Sequence, residues 1–265
     1  MRYPFAVNHY IWPAGWPLGD FLDLAARLGA GSVALTRRAL SEMAPDRLRR
    51  ELYRRDLSVS SLNSAGYFTD PDAAFQARQA EENRRLVQAA ATLEAGALCV
   101  ITGGAGAFDR LPDARARFVD KLGALDGEAE AVGVTLGLEP IHPAECLTKG
   151  VCNSIHQALD VIRDLSATRL IVDLYHSAHD PELGALLGGQ PAHPVVLQVC
   201  EPVMRAGAMH RDLPLSDWAA RCVATARDSG FQGAIEVELF ERDLFGRDPA
   251  RLLSSVFPSV WAAQY

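Results

Sequence analysis

Acidic and amide side chains recur at the ends of the hydrophobic runs in the C-terminal half of this chain. Asp173 lies inside LIVDLYH (170–176), Glu139 closes VTLGLEP, Gln198 and Glu201 lie in PVVLQVCE, and Glu236 and Glu238 lie in AIEVELF. Strands buried on both faces read as continuous apolar runs, so a charge inside one needs a compensating partner. For any one of these residues the ordinary partner is a helix N-terminus or an arginine. Oxygen-bearing side chains on four successive runs point instead to a shared partner. Carboxylates with an amide suit a hard divalent cation, Mg²⁺ or Mn²⁺, and the lack of clustered Cys and His speaks against a soft site. Glu236 and Glu238 share a face by the period of two, so the pattern does not choose between them.

Eight β-rich runs must position these groups: FAVNHYI, SVALTR, LSVSSLN, ALCVITG, VTLGLEP, RLIVDLYH, PVVLQVCE and AIEVELF. They start near residues 5, 32, 57, 97, 134, 169, 194 and 234, at the spacing of βα units. Helical patterns fill most gaps. FLDLAARLGA places Phe21, Leu24, Ala25 and Leu28 on one face with Gly29 as its stop, and NRRLVQAAATLEAGA and DWAARCVATARDSG repeat the scheme with Gly96 and Gly230. Eight such units predict a closed (β/α)8 barrel rather than an open sheet, and without a linker residues 1–265 read as one domain. The strand ends then share one mouth, where the irregular stretch HPAECLTKGVCN (142–153) is expected to form part of the pocket.

A net charge of -7 and a pI near 5.5 give no electrostatic footprint for nucleic acid or an anionic membrane, which leaves a small molecule as the expected partner. Self-association into a homo-oligomer is left open. The five cysteines have no CxxC spacing, so reduced thiols in a cytoplasmic protein are expected, with Cys99 and Cys200 as inert core residues. The N-terminus has no long apolar segment, and no signal, anchor or span is expected. GGAGAF (103–108) lacks phosphate-loop spacing and reads as a flexible turn, while RLRRELYRRD (47–56) interleaves acids and reads as a solvated helix face. Of Asn8 and His9, one must face inward on the first strand; Trp12 and Trp16 either wall the pocket or cap the barrel.

GLEPIHP, VDLYH, LQVCE and GFQGAIEVELF occur in that order, and together they resemble the xylose isomerase-like TIM barrels, the sugar phosphate isomerase/epimerase group, over nearly the whole chain. The resemblance implies a (β/α)8 TIM barrel with a metal held by Glu139, Asp173, Gln198 and Glu238. Glu238 is chosen because it directly precedes Leu239-Phe240, which leaves Glu236 as an inward neighbour. It further implies that His176 contacts a substrate hydroxyl, that His142 and Glu145 line the pocket, and that Arg211 of HRDLP reaches the substrate. The family's Gly-rich continuation is missing after Pro214, so Arg205 competes with Arg211 for that role. Gln198, where His is commoner, is more similar to the dehydratase branch.

The expected activity is a divalent-metal-dependent isomerase or epimerase acting on a sugar, keto-inositol or related polyol. The cation would stabilise the enediolate left when a proton departs next to the carbonyl, with Glu139 and Glu238 as base and acid. A dehydratase of the dehydroshikimate or keto-inositol type is the alternative on the same site. A non-catalytic ligand-binding barrel or complex subunit is the alternative of another class. DNA repair endonucleases of this fold use more histidine ligands and a basic groove, which the acidic composition argues against.

Overall fold

The computed structural model describes residues 5–106 and 109–262, with side chains through Phe257. Eight parallel strands close into a barrel in the order β1 (Phe5–Asn8), β10 (Ala234–Val237), β7 (Val196–Val199), β6 (Thr168–Asp173), β5 (Leu136–Leu138), β4 (Ala97–Ile101), β3 (Ser58–Gly66) and β2 (Ser32–Thr36). These are the eight runs read from the sequence. Ten α-helices are described: α1 (Leu18–Arg27), α2 (Arg37–Glu42), α3 (Pro45–Arg54), α4 (Ala73–Leu93), α5 (Leu111–Glu130), α6 (Ile155–Ile162), α7 (Leu174–Ser177), α8 (Leu183–Leu187), α9 (Asp217–Asp228) and α10 (Pro249–Ala262). None of those helices is long and apolar enough to cross a membrane.

The period of two divides each strand between the barrel interior and the helical layer. Leu98, Val100, Leu170, Val172, Leu197, Val199, Ile235 and Val237 belong to the large core that the helices cover. Their neighbours Ala97, Cys99, Ile101, Ile171 and Val196 form a second, smaller core with Ile141. By that parity Asn8, Glu139, Asp173, Gln198, Glu236 and Glu238 all turn inward. The register makes Asp173 level with Gln198, and Gln198 level with Glu236.

Helix starts follow side-chain capping: Asp72, Ser154 and Ser216 accept from Phe75, Gln157 and Ala219 backbone N–H groups. Gly29 and Gly230 end α1 and α9 at φ of 75° and 91°, as expected. α4 ends differently. Glu94 takes the left-handed position at φ 51°, and Gly96 serves close packing, since a Cβ there would stand 2.8 Å from the Ser60 carbonyl oxygen.

Two further expectations need correction. Glu201 does not continue β7 but opens an antiparallel hairpin, β8 (Glu201–Arg205) with β9 (Ala208–Asp212), and its carboxylate accepts from Ser216 N. The GGAGAF segment is not a free turn. Gly103 bridges Gly150, and the Ala105 and Gly106 amides donate to the Cys146 and Leu147 carbonyls; Ala107 and Phe108 lie outside the described residues. The basic run does form a solvated face, with Arg54 and Arg55 paired to Glu51 and Arg55 also to Asp23.

Candidate active site

Asp173 ends β6 and is fully buried. Its Oδ1 accepts the Tyr175 amide at 2.9 Å, capping α7, and its Oδ2 accepts from Arg211 Nη2 at 2.5 Å. The two ordinary partners of a buried acid are therefore both present. Arg211 comes from β9, so the hairpin after β7 folds back over the mouth to deliver it. Its guanidinium also lies 3.3 Å from Glu238 Oε2 and stacks over the Tyr175 and Phe240 rings, at 3.9 and 4.6 Å from their centroids. Burial works to lower its pKa, but Asp173 and Glu238 outweigh that and raise it, so the group stays charged. Arg205 keeps a side chain 44% exposed, pairs with Asp212 and stacks on Phe245. Of the two competitors, Arg211 is the one at the carboxylates.

Glu139 follows β5, and its Oε2 accepts the Cys99 thiol at 3.3 Å. Cys99 is a core residue as expected, but one that touches a site carboxylate. Burial pushes the Glu139 pKa up to about 7, against the pull of Lys149. Glu238 accepts from Asn8 Nδ2 at 2.9 Å and from Gln198 Nε2 at 3.3 Å. Burial pushes it well above the usual carboxylate range although Arg211 opposes this. Glu236 sits deeper, accepting from Ser60 Oγ at 2.7 Å and Gln198 Nε2 at 3.2 Å. The Gln198 amide nitrogen thus serves both glutamates. Its Oε1 is buried and has no partner among the described residues, and an unsatisfied buried oxygen costs about 1–3 kcal/mol.

His176 lies on α7, with Nε2 3.9 Å from both Glu139 Oε1 and Asp173 Oδ2. Glu139, Asp173 and His176 can each place a donor atom within 4.8 Å of the other two. Burial, with Lys149 and Arg211, holds the imidazole pKa well below its ordinary value, so the ring is neutral. Lys149 Nζ stands 2.8 Å from Nε2. Nδ1 faces Glu145 Oε1 at 4.0 Å. The His142 backbone N–H donates to Nδ1 at 3.3 Å.

His142 and Glu145 stand at the rim rather than among the carboxylates. His142 caps a 3₁₀ turn, Pro143–Glu145, and packs on His179 with ring centroids 4.6 Å apart. The 142–153 stretch contributes to the mouth chiefly through Lys149, which the sequence reading did not single out. Asn8 was also unassigned; it turns inward to Glu238, while His9 lies just past the strand. Trp12 packs edge-on against Trp16 at 5.0 Å, one buried and the other 42% exposed.

The donor chemistry fits a hard divalent cation. The buried Glu139 and Asp173 carboxylates stand together with His176, Arg211 joins Asp173 to Glu238, Gln198 Oε1 has no partner among the described residues, and Arg211 and Lys149 already balance part of the negative charge. Glu139, Asp173, Glu238 and Gln198 Oε1 would hold the ion, with His176 beside it. A cavity of about 480 Å³ adjoins the mouth, lined among others by His9, Tyr10 and Phe240. A larger one, about 990 Å³, opens among the N-terminal strand ends near Ser32, Ser58 and Ala234, away from these carboxylates.

The family model for the xylose isomerase-like TIM barrel matches residues 22–256. Among solved structures, protein SMc04130 from Sinorhizobium meliloti 1021 superposes with a TM-score of 0.86 at 23% identity, covering 99% of each chain. The IolI protein, solved with a bound zinc atom, gives 0.79 at 16% identity over 98% of this chain and 97% of its own. 3-Keto-D-glucoside 4-epimerase YcjR from E. coli gives 0.78 at 16% identity over 98% and 99%. At these identities the likeness concerns the fold. Comparison with curated protein sequences finds no match.

Proposed function

We propose that this chain, which belongs to the xylose isomerase-like TIM barrel family, is a divalent-metal-dependent isomerase or epimerase of small polyhydroxylated carbonyl compounds. The observation that carries this reading is the cluster of the buried Glu139 and Asp173 carboxylates with His176, beside Gln198, whose Nε2 reaches Glu238 and whose Oε1 has no partner among the described residues. Epimerases among the structural neighbours, including one named for D-psicose and one for L-ribulose, support the substrate class. A bound divalent ion would supply Lewis acidity at the substrate's carbonyl and hydroxyl oxygens.

The chain's own residues do the rest. Glu139, with its pKa brought near 7 by burial, is suited to take a proton from the carbon beside the carbonyl at neutral pH. Glu238, reached from another strand of the same mouth, is suited to return one. An epimerase needs two such groups on different faces of the carbon; an isomerase moves the proton to the neighbouring carbon. Neutral His176 offers Nε2 to a substrate hydroxyl once Lys149 turns aside, and Arg211 donates to a substrate oxygen while holding Asp173. Phe240, Tyr10 and Tyr175 wall the mouth against water, which strengthens each of these electrostatic contacts.

Crystals soaked with Mn²⁺ test the reading through anomalous scattering. A peak between the oxygens of Glu139, Asp173, Gln198 and Glu238 is expected. A peak elsewhere, or none at saturating metal, contradicts it.

A further inference from the structure

The cavity beside the carboxylates has a composition that their chemistry does not explain. The chain as a whole carries a net charge of -7. Yet the 480 Å³ cavity is lined by three arginines, Arg37, Arg38 and Arg242, against one acid, Glu241, whose Oε2 is turned to the Ala14 amide. Arg38 has its own partners: Nη2 donates to Trp12 O at 2.7 Å and to His9 Nε2 at 3.1 Å, and Nε stands 3.7 Å from Glu42. The other two are different. Arg37 points Nε and Nη2 at a single acceptor, the Ser64 carbonyl, and lies 5.2 Å from the Tyr67 ring centroid. Arg242 lies 4.9 Å from the Phe240 centroid. Neither has a carboxylate partner among the described residues. A guanidinium has five N–H donors, so each keeps donors for a ligand.

This cavity adjoins the carboxylate site. The Phe240 ring is shared, packing on Tyr10 at 4.6 Å and lying 4.6 Å from the Arg211 guanidinium and 6.0 Å from Lys149 Nζ. Tyr10 in turn lies close enough to feel the charges of Glu238 and Glu139. A molecule reacting at the carboxylates therefore has its far end within reach of the arginines.

We infer that the substrate of this site bears an anionic group, a carboxylate or a phosphate, that seats between Arg37 and Arg242. The inference rests on the reading of the mouth as the substrate site. It narrows the substrate class from neutral sugars to acidic ones. Planar guanidiniums suit either anion, whereas a neutral polyol gains little from unpaired cations.

The test compares three ligands of similar carbon skeleton on the Mn²⁺-loaded protein by calorimetric titration: D-fructose, D-fructuronate and D-fructose 6-phosphate. At least one of the anions is expected to bind about tenfold or more tightly than fructose, the size of a charge-assisted hydrogen bond. Which anion gains identifies the group. Arg242→Gln and Arg37→Gln should each remove about tenfold of that gain and leave fructose binding unchanged. Arg37 also holds the Ser64 carbonyl, so Arg37→Lys, which keeps the charge, should retain most of the gain. Arg110→Gln, a surface change beside Asp113, controls for net charge. Equal affinity for the three ligands, weaker binding of both anions, or variants that affect neutral and anionic ligands alike would overturn the inference. Rapid turnover of a neutral ketose with no preference for its acidic analogues would sink it while sustaining the isomerase reading. Tight, arginine-dependent anion binding without α-proton exchange would do the reverse.

Discussion

The guanidinium of Arg211, delivered by the β8–β9 hairpin, donates to Asp173 Oδ2 at 2.5 Å, and both side chains are buried. One ion pair thereby ties the hairpin to the end of β6 at the mouth. Removing one member of a buried pair leaves the other charge uncompensated, at a cost of about 3–5 kcal/mol. Arg211→Met should lower the stability of the metal-free protein by about that amount, and divalent metal should recover much of it by restoring positive charge beside Asp173. Urea unfolding with Mn²⁺ and with chelator measures both. An equal loss in the two conditions would contradict shared charge compensation.

Glu236 and Glu238 point to the same side of β10 but differ in depth. Glu238 meets Asn8, Gln198 and Arg211 at the mouth, whereas Glu236 is enclosed by Ser60 and Gln198. Glu238→Gln should weaken Mn²⁺ binding at least about tenfold and abolish turnover. Glu236→Gln should leave metal affinity within a few-fold and act mainly on stability. Calorimetric metal titration of the two variants decides it, and the opposite order would put the ligand one turn of the pleat deeper.

The legible part of this site is the part that β periodicity encodes. Polar residues recurring at the ends of successive apolar runs marked Asp173, Gln198, Glu236 and Glu238 as sharing one mouth, the period of two put Glu236 and Glu238 on one face, and the eight-fold recurrence of βα units closed the barrel. The hairpin escaped notice because VCEPVMRAGAMHRD has no clean alternation to separate it from β7, and its pairing is set by a turn at Ala206-Gly207. Lys149 was hidden in an irregular stretch where no period applies. The arginine-lined cavity draws on residues 37–38, 63–67 and 240–242, which only closure of the barrel brings together. Gly96 looked like a helix stop because glycine is the usual one, yet backbone packing against Ser60 was the demand it met.

Metal binding should depend on pH with a definite sign. Glu139 in the metal-free protein has its pKa raised from 4.5 to about 7 by burial, and Glu238 is raised as well. Below about pH 7 the ion must displace a proton, so apparent affinity should fall as pH falls, by about tenfold per unit for each proton released. Stability of the metal-free protein runs the other way for this group. A raised folded pKa gives a contribution that is complete below 4.5 and lost as pH rises through about 7. The difference in unfolding free energy between the parent and Glu139→Gln, followed from pH 4 to 8 with chelator present, isolates it from His9 and His176, whose depressed pKa values act in the opposite sense. A flat difference would mean that Glu139 ionises as freely as a surface carboxylate.

The central claim is that this mouth removes a proton from the carbon beside a carbonyl, and isotope exchange reads that step directly. The metal-loaded protein, incubated in D₂O with a panel of ketoses, keto-inositols and their acidic analogues, should wash deuterium into the α position of at least one of them, or release an isomer labelled there. Chelator should stop the exchange, and so should Glu139→Gln. Product at unchanged mass apart from the label supports isomerisation or epimerisation, and loss of water would indicate a lyase instead. A protein that binds metal and ligand at Glu139, Asp173, Gln198 and Glu238 but exchanges no deuterium across the panel would contradict the catalytic account and leave a binding protein in its place.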